Sequence, residues 1–183
     1  MKKPDNYDSS DPKTYGNFNS PKAGAYVLGI VGAVEGQTSN GKSKLVLSFD
    51  IAEGEFKNHY RELSEKFKKD CYLQLHQVTE GESAPFFKGV ITLIEESNTG
   101  YKFNFDEKTL LRKLTGAMLK EEFYIDSNGR EKSVLKVAFL CSIAKARSGE
   151  LKVPEPDRSR LNAKSDDGYG GFPPPTDEDQ LPF

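Results

Sequence analysis

The feature that most constrains this chain is a two-residue alternation that recurs in four separate stretches. Tyr26, Leu28, Ile30, Gly32 and Val34 alternate with Val27, Gly29, Val31 and Ala33. Leu45, Leu47, Phe49 and Ile51 alternate with Lys44, Val46, Ser48 and Asp50, and Phe123 and Ile125 with Glu122, Tyr124 and Asp126. Leu135, Val137, Phe139, Cys141 and Ile143 alternate with Lys136, Ala138, Leu140 and Ser142. Successive side chains of a strand point to opposite faces, so this period specifies strands with one buried face. Two turns join them in pairs: Ser39-Asn40-Gly41-Lys42 and Ser127-Asn128-Gly129-Arg130. Asn-Gly supplies the positive φ angles that a tight hairpin requires. A further strand is expected near 57–64, with an extended piece at 71–78.

Between the two strand groups the period changes. Phe86, Val90, Leu93 and Ile94 recur at helical spacing, with Ser83 placed to cap, Pro85 in the first turn, and Gly100 placed to stop the helix after Asn98. A short turn is expected from Asp106, carrying Leu110 and Leu111. Three strands, a helical insert and two more strands give the element order of the five-stranded OB barrel, a mainly β fold.

Composition then divides the chain. Residues 165–183 carry five acids and no base, so all 26 basic residues face 23 of the 28 acids within 1–164, a balance of +3 inside a whole-chain charge of -2. Prolines and glycines crowd the stretch after Val153, which offers little apolar area to offset its ordering entropy. The expected organisation is a flexible arm at 1–19, a barrel at 20–153, and a disordered acidic tail at 154–183. No run approaches the roughly 18 apolar residues of a membrane span, and the N-terminal lysines precede no apolar stretch. Two cysteines, Cys71 and Cys141, cannot build a disulfide framework, so a cytoplasmic setting with reduced thiols is expected.

One motif invites an enzymatic reading. Gly36-Gln37-Thr38-Ser39-Asn40-Gly41-Lys42-Ser43 satisfies the phosphate-loop pattern G-x-x-x-x-G-K-[ST]. That loop binds phosphate because a helix starts directly after it and aims free amides at the anion. Here Lys44–Ile51 has strand period instead, and Asp50 lies only seven residues after Ser43, too close for a crossover helix. A hairpin loop is the expected reading. His59, Cys71, His76 and Cys141 lack the paired spacing of zinc ligands, and Glu121 and Glu122 point to opposite faces of a strand. No catalytic residue, metal or cofactor is therefore expected.

What remains is cations interleaved with aromatics. Lys42 and Lys44 flank the first hairpin; Lys57, His59, Tyr60 and Arg61 follow the second strand, with Lys66, Lys68, Lys69 and Tyr72 beyond. Tyr124, Arg130, Lys132 and Lys136 surround the last hairpin. Single-stranded nucleic acid requires cations for phosphates and flat rings for bases, and an OB barrel presents them on strands two and three and on the loops joining one to two and four to five. The C-terminus is a separate signal. Asp177, Glu178 and Asp179 precede Leu181, Pro182 and Phe183, so a partner with an apolar pocket, a basic rim and a carboxylate-binding cation would recognise it.

That tip resembles the end of bacterial single-stranded DNA-binding proteins, acids followed by Ile-Pro-Phe, with Leu181 in place of the isoleucine and Gln180 interrupting the acids. The body resembles a family of small proteins of phages and mobile elements of Gram-positive bacteria over roughly 23–155. The resemblance is carried by Gly24-Ala25-Tyr26, Asn40-Gly41-Lys42-Ser43-Lys44-Leu45, Phe49-Asp50-Ile51-Ala52-Glu53-Gly54, Pro85-Phe86-Phe87-Lys88-Gly89, Glu95-Glu96-Ser97-Asn98 and Glu121-Glu122-Phe123-Tyr124. It implies an OB-fold protein of the bacterial cytoplasm that coats single-stranded DNA with little sequence preference. The partners implied are that DNA, replication, recombination or repair proteins at the tip, and further copies of the chain, with no membrane. Two rivals stand beside this reading: a β-barrel adaptor that binds no nucleic acid, and the phosphate-loop NTPase. RNA is a variant ligand, since unstacked RNA bases offer the same rings.

Overall fold

The computed structural model describes residues 20–161. The expected arm at 1–19, the tail from 162 onward and the tip at Asp177–Phe183 lie outside the described residues. The element order is β1 (Gly24–Gln37), β2 (Ser43–Ile51), α1 (His59–Phe67), β3 (Leu73–Val78), α2 (Ala84–Ser97), β4 (Leu114–Ile125), β5 (Glu131–Cys141) and α3 (Ile143–Ser148). The strands form one open five-stranded sheet in the order β3-β2-β1-β4-β5, with every neighbouring pair antiparallel. Its two ends, β3 and β5, approach each other without a ladder between them. The strand count and the helix between β3 and β4 are as expected.

The inner face holds the core: Leu28 and Ile30 from β1, Leu45, Leu47, Phe49 and Ile51 from β2, Leu73 from β3, Ala117 and Leu119 from β4, and Val137 and Leu140 from β5. Helix α2 closes it with Ile94, while Phe87, Val90, Ile91 and Leu93 pack alongside. Phe86, expected in that stripe, is exposed. A smaller cluster of Val27, Cys141 and Ala146 seats α3 on the sheet. There β4 and the entry to α3 run so close that a Cβ on Gly116 would stand 2.5 Å from the Ser142 carbonyl oxygen.

Two bulges overturn the simple alternation. The β1–β2 register slips between Ile30 and Gly32, leaving Val31 without an opposite residue. Beyond it Ala33 and Glu35 take the inner side opposite Leu47 and Leu45, and Val34 becomes 63% exposed. The β4–β5 register slips between Met118 and Leu119, so Ala138 is the extra residue. Leu140 is thereby turned into the core and Phe139 outward. One extra residue in a ladder exchanges every face beyond it.

The expected strand at 57–64 is helix α1, and the third strand is the later piece, 73–78. A tertiary contact decides this. The buried Asp50 carboxylate of β2 accepts from the amides of Tyr60 (3.0 Å) and Arg61 (3.2 Å), satisfying the first turn of a helix whose own cap, Asn58, is left-handed and supplies no side-chain bond. Strand β4 starts at Leu114, upstream of the alternation seen at 123–126, because Thr115 to Leu119 are all buried and carry no period. Asn98 ties the end of α2 to this start: its amide donates to the carbonyls of Ile94 (2.6 Å) and Leu114 (2.8 Å), and its oxygen accepts from Leu114 N–H (3.0 Å).

The chain is also held beyond the expected barrel limit at 153. Asp157 forms a parallel bridge to Glu122, donating to the Glu121 carbonyl (2.8 Å) while its own carbonyl accepts from Phe123 N–H (2.8 Å). Residues 155–161 thus lie along the stretch of β4 that β1 leaves unpaired, since β1 begins at Gly24 opposite Leu119. No described helix is long and apolar enough to cross a membrane.

Candidate nucleic-acid interface

The motif Gly36–Ser43 is the β1–β2 hairpin. Thr38 N–H donates to the Lys42 carbonyl (2.8 Å), Lys42 N–H donates to Thr38 Oγ1 (2.9 Å), and Gly41 takes φ +77°. Strand β2 follows it directly, so no helix start faces the loop, and Asp50 is engaged in holding α1. The last hairpin closes likewise, with Gly129 at φ +74°. The Asp126 carboxylate accepts there from Asn128 N–H (2.9 Å) and Arg130 N–H (3.0 Å). The Arg130 amide, then that of Asn128 and the Lys132 ammonium, hold Asp126 below the usual carboxylate range, against a smaller opposing effect of burial.

The candidate residues fall into three groups rather than one. Lys42 is exposed at the first hairpin tip, and Lys44 lies half-buried on the outer face of β2, opposite Gly36 and Val78. Lys57 and Arg61 are exposed around the start of α1. The His59 ring is half-buried, edge-on to Tyr60 (5.1 Å) and Phe56 (6.2 Å). Arg130 is exposed at the second hairpin tip; Lys132 lies 3.5 Å from Asp126, and Lys136 lies 3.0 Å from Glu122. Tyr124 is half-buried on β4 opposite Lys132.

Two of the expected stacking rings are used by the fold. Tyr60 belongs to the core, where burial pushes its phenol well above its ordinary value, and Tyr72 packs against the same cluster. Little of the Tyr60 ring is open to solvent in this arrangement. Phe105 (80%) and Phe67 (55%) are the most exposed phenylalanines among the described residues, and Phe67, the last residue of α1 and outside the expected site, is the one that stands among lysines. Lys66 and Lys69 place their ammoniums 5.5 and 5.9 Å from its ring centre, and exposed Lys68 follows it in the left-handed conformation. The signal was the tetrad Lys66-Phe67-Lys68-Lys69, but only the position of the helix end shows which way its ring is turned.

The outer face of β1, β2 and β3 is mostly uncharged. Past the first bulge it carries Gly32, Val34 and Gly36, beside Ser48, Val46 and Lys44, with Gln74, His76 and Val78 on β3. His76 is exposed there, with a ring nitrogen 3.3 Å from Gln74 Oε1. At the end of the sheet beside the first hairpin, Glu35, Leu45, Thr79, Phe87, Phe103, Phe105 and Glu107 line an open cleft of about 220 Å³. Among the described residues no three His, Cys, Asp or Glu side chains stand together as metal ligands. Cys141 is buried, which raises its thiol above the ordinary range, and Cys71 is half-buried. The sequence matches no known family model and no curated protein.

Proposed function

We propose that this protein is a non-catalytic single-stranded DNA-binding protein built on an OB barrel. The sheet order β3-β2-β1-β4-β5, with β3 and β5 brought together and α2 between β3 and β4, supports the barrel reading. The observation that carries the function is Phe67. An exposed phenylalanine is disfavoured in water, and this one stands among three lysines. A ring for a base beside cations for phosphates is the pairing that sequence-tolerant single-strand binding uses, at about 1–3 kcal/mol per stacked base. The outer face of β1 and β2, where Gly32 and Gly36 leave space beside Ser48, gives a strand room to lie, with Lys42 and Lys44 at one side and the Gln74 and His76 side chains along β3.

The acidic tip at Asp177–Phe183 would then recruit replication, recombination or repair proteins in a bacterial cytoplasm, a role supported by its sequence alone. The test is fluorescence anisotropy of a labelled poly-dT oligonucleotide at two salt concentrations, with duplex and RNA competitors. Preference for the single strand, a negative slope of log K against log salt, and a roughly tenfold loss in Phe67→Ala are expected. No anisotropy change at low salt would instead favour the adaptor without nucleic acid.

A further inference from the structure

We propose that the docked segment 155–161 completes the DNA-binding surface, with Arg158 and Phe123 forming a composite platform for an unpaired base. This rests on the single-stranded DNA reading and extends it to residues that the sequence assigns to the tail. The Arg158 guanidinium lies 4.4 Å over the Phe123 ring, with its side chain 60% exposed. A planar cation seated on an aromatic keeps its second face toward solvent, and bases stack on guanidinium planes as they do on rings. Its ion pair with Glu131 is long, 3.6 Å, and open to water, so a phosphate can replace that carboxylate at small cost.

The placement of Arg158 is built by its neighbours. Asp157 is fixed on both backbone sides by Glu121 and Phe123. Its carboxylate takes the Lys120 ammonium at 2.9 Å and the Ser159 amide and hydroxyl at 3.0 and 2.7 Å. Arg160 reaches the buried Glu122, with Nε 3.2 Å from Oε1. Arg158, between these two anchors, is therefore held over β4 rather than left on a free chain. Phe123 lies two residues from the exposed Ile125, on the same face of β4 and close to the second hairpin. Asp157 is in this scheme a positioning residue.

The test uses the full chain and a labelled poly-dT oligonucleotide. Arg158→Ala is expected to lose about tenfold in affinity and about one unit of salt slope. Arg158→Lys is expected to keep the slope but recover little of the affinity, because an ammonium has no plane to stack. Thermal melting of each variant reports whether the fold survives. In the unsubstituted protein, the oligonucleotide should shield Arg158 from phenylglyoxal while leaving Arg147, which is bonded to Glu53, as reactive as before. Wild-type affinity in Arg158→Ala, or an unshielded Arg158 in a protein that binds, would overturn the platform and leave the general reading standing. A wild-type chain that does not bind at all would overturn both.

Discussion

Asp50 and Glu122 are both carboxylates buried on the outer side of one sheet, and they face different kinds of partner. Asp50 is met by backbone: the amides of Ile51, Tyr60 and Arg61 surround it. Glu122 is met by side chains: Lys136 at 3.0 Å and Arg160 at 3.2 Å, both reaching it from partly exposed positions. Neither pair is aligned as a hydrogen bond to Glu122 Oε1. Amide bonds to a charge are short, directional and shielded from salt. Long cationic side chains must be ordered to reach their partner, and they keep a route to water. The first arrangement binds a helix into the fold; the second holds a segment that a charged ligand can influence.

The comparison can be broken most severely at Asp50. Asp50→Ala should cost about 3 kcal/mol, since it strands buried amides at the start of α1, and urea denaturation would measure it. Glu122→Gln should cost less, about 1–2 kcal/mol, because Lys136 and Arg160 can turn to solvent once the charge is gone. Raising the salt should narrow the gap between Glu122→Gln and the wild type but leave that of Asp50→Ala unchanged.

Acid sharpens the same contrast through Asp157. The Lys120 ammonium first, then the Ser159 hydroxyl and amide, hold its carboxyl far below the ordinary value, against a smaller opposing effect of burial. A depressed pKa stabilises the folded state fully above the unfolded value, near pH 4, and the contribution is lost as pH falls from there through the folded value. Asp157→Asn should therefore flatten the acid limb of the stability curve below about pH 4, as followed by circular dichroism. The smallest effect is expected from Lys132→Ala, whose partner Asp126 keeps two backbone amides; its melting curve should overlay the wild type.

Much of the sheet was legible because its cues are local. The Asn-Gly turns at Asn40-Gly41 and Asn128-Gly129, the alternation of β2 and the helical stripe of α2 all arise from neighbours a few residues apart. The segment at 57–64 was misread because its fate depends on Asp50, which precedes Tyr60 by ten residues. The exposure of Val34 and the burial of Leu140 were hidden by bulges, which leave no mark in a period-two pattern beyond one misplaced residue. The candidate site was legible as a composition, cations among aromatics, but not as an arrangement. Tyr60 and Phe67 are both aromatics of one short helix, and the face each occupies decides that one is core and the other is solvent-facing.

The boundary at 153 shows the same division. By itself the sequence determined that a strand-rich body would be followed by a change to proline, glycine and acid, because that composition cannot bury enough apolar area to fold alone. It did not determine where the body ends. Residues 155–161 bury little of their own, yet they lie on β4 where β1 stops short, and an unpaired strand edge offers amides and carbonyls to whatever chain is near. Which backbone fills an edge depends on the geometry of the whole sheet, so only the tertiary structure could decide it.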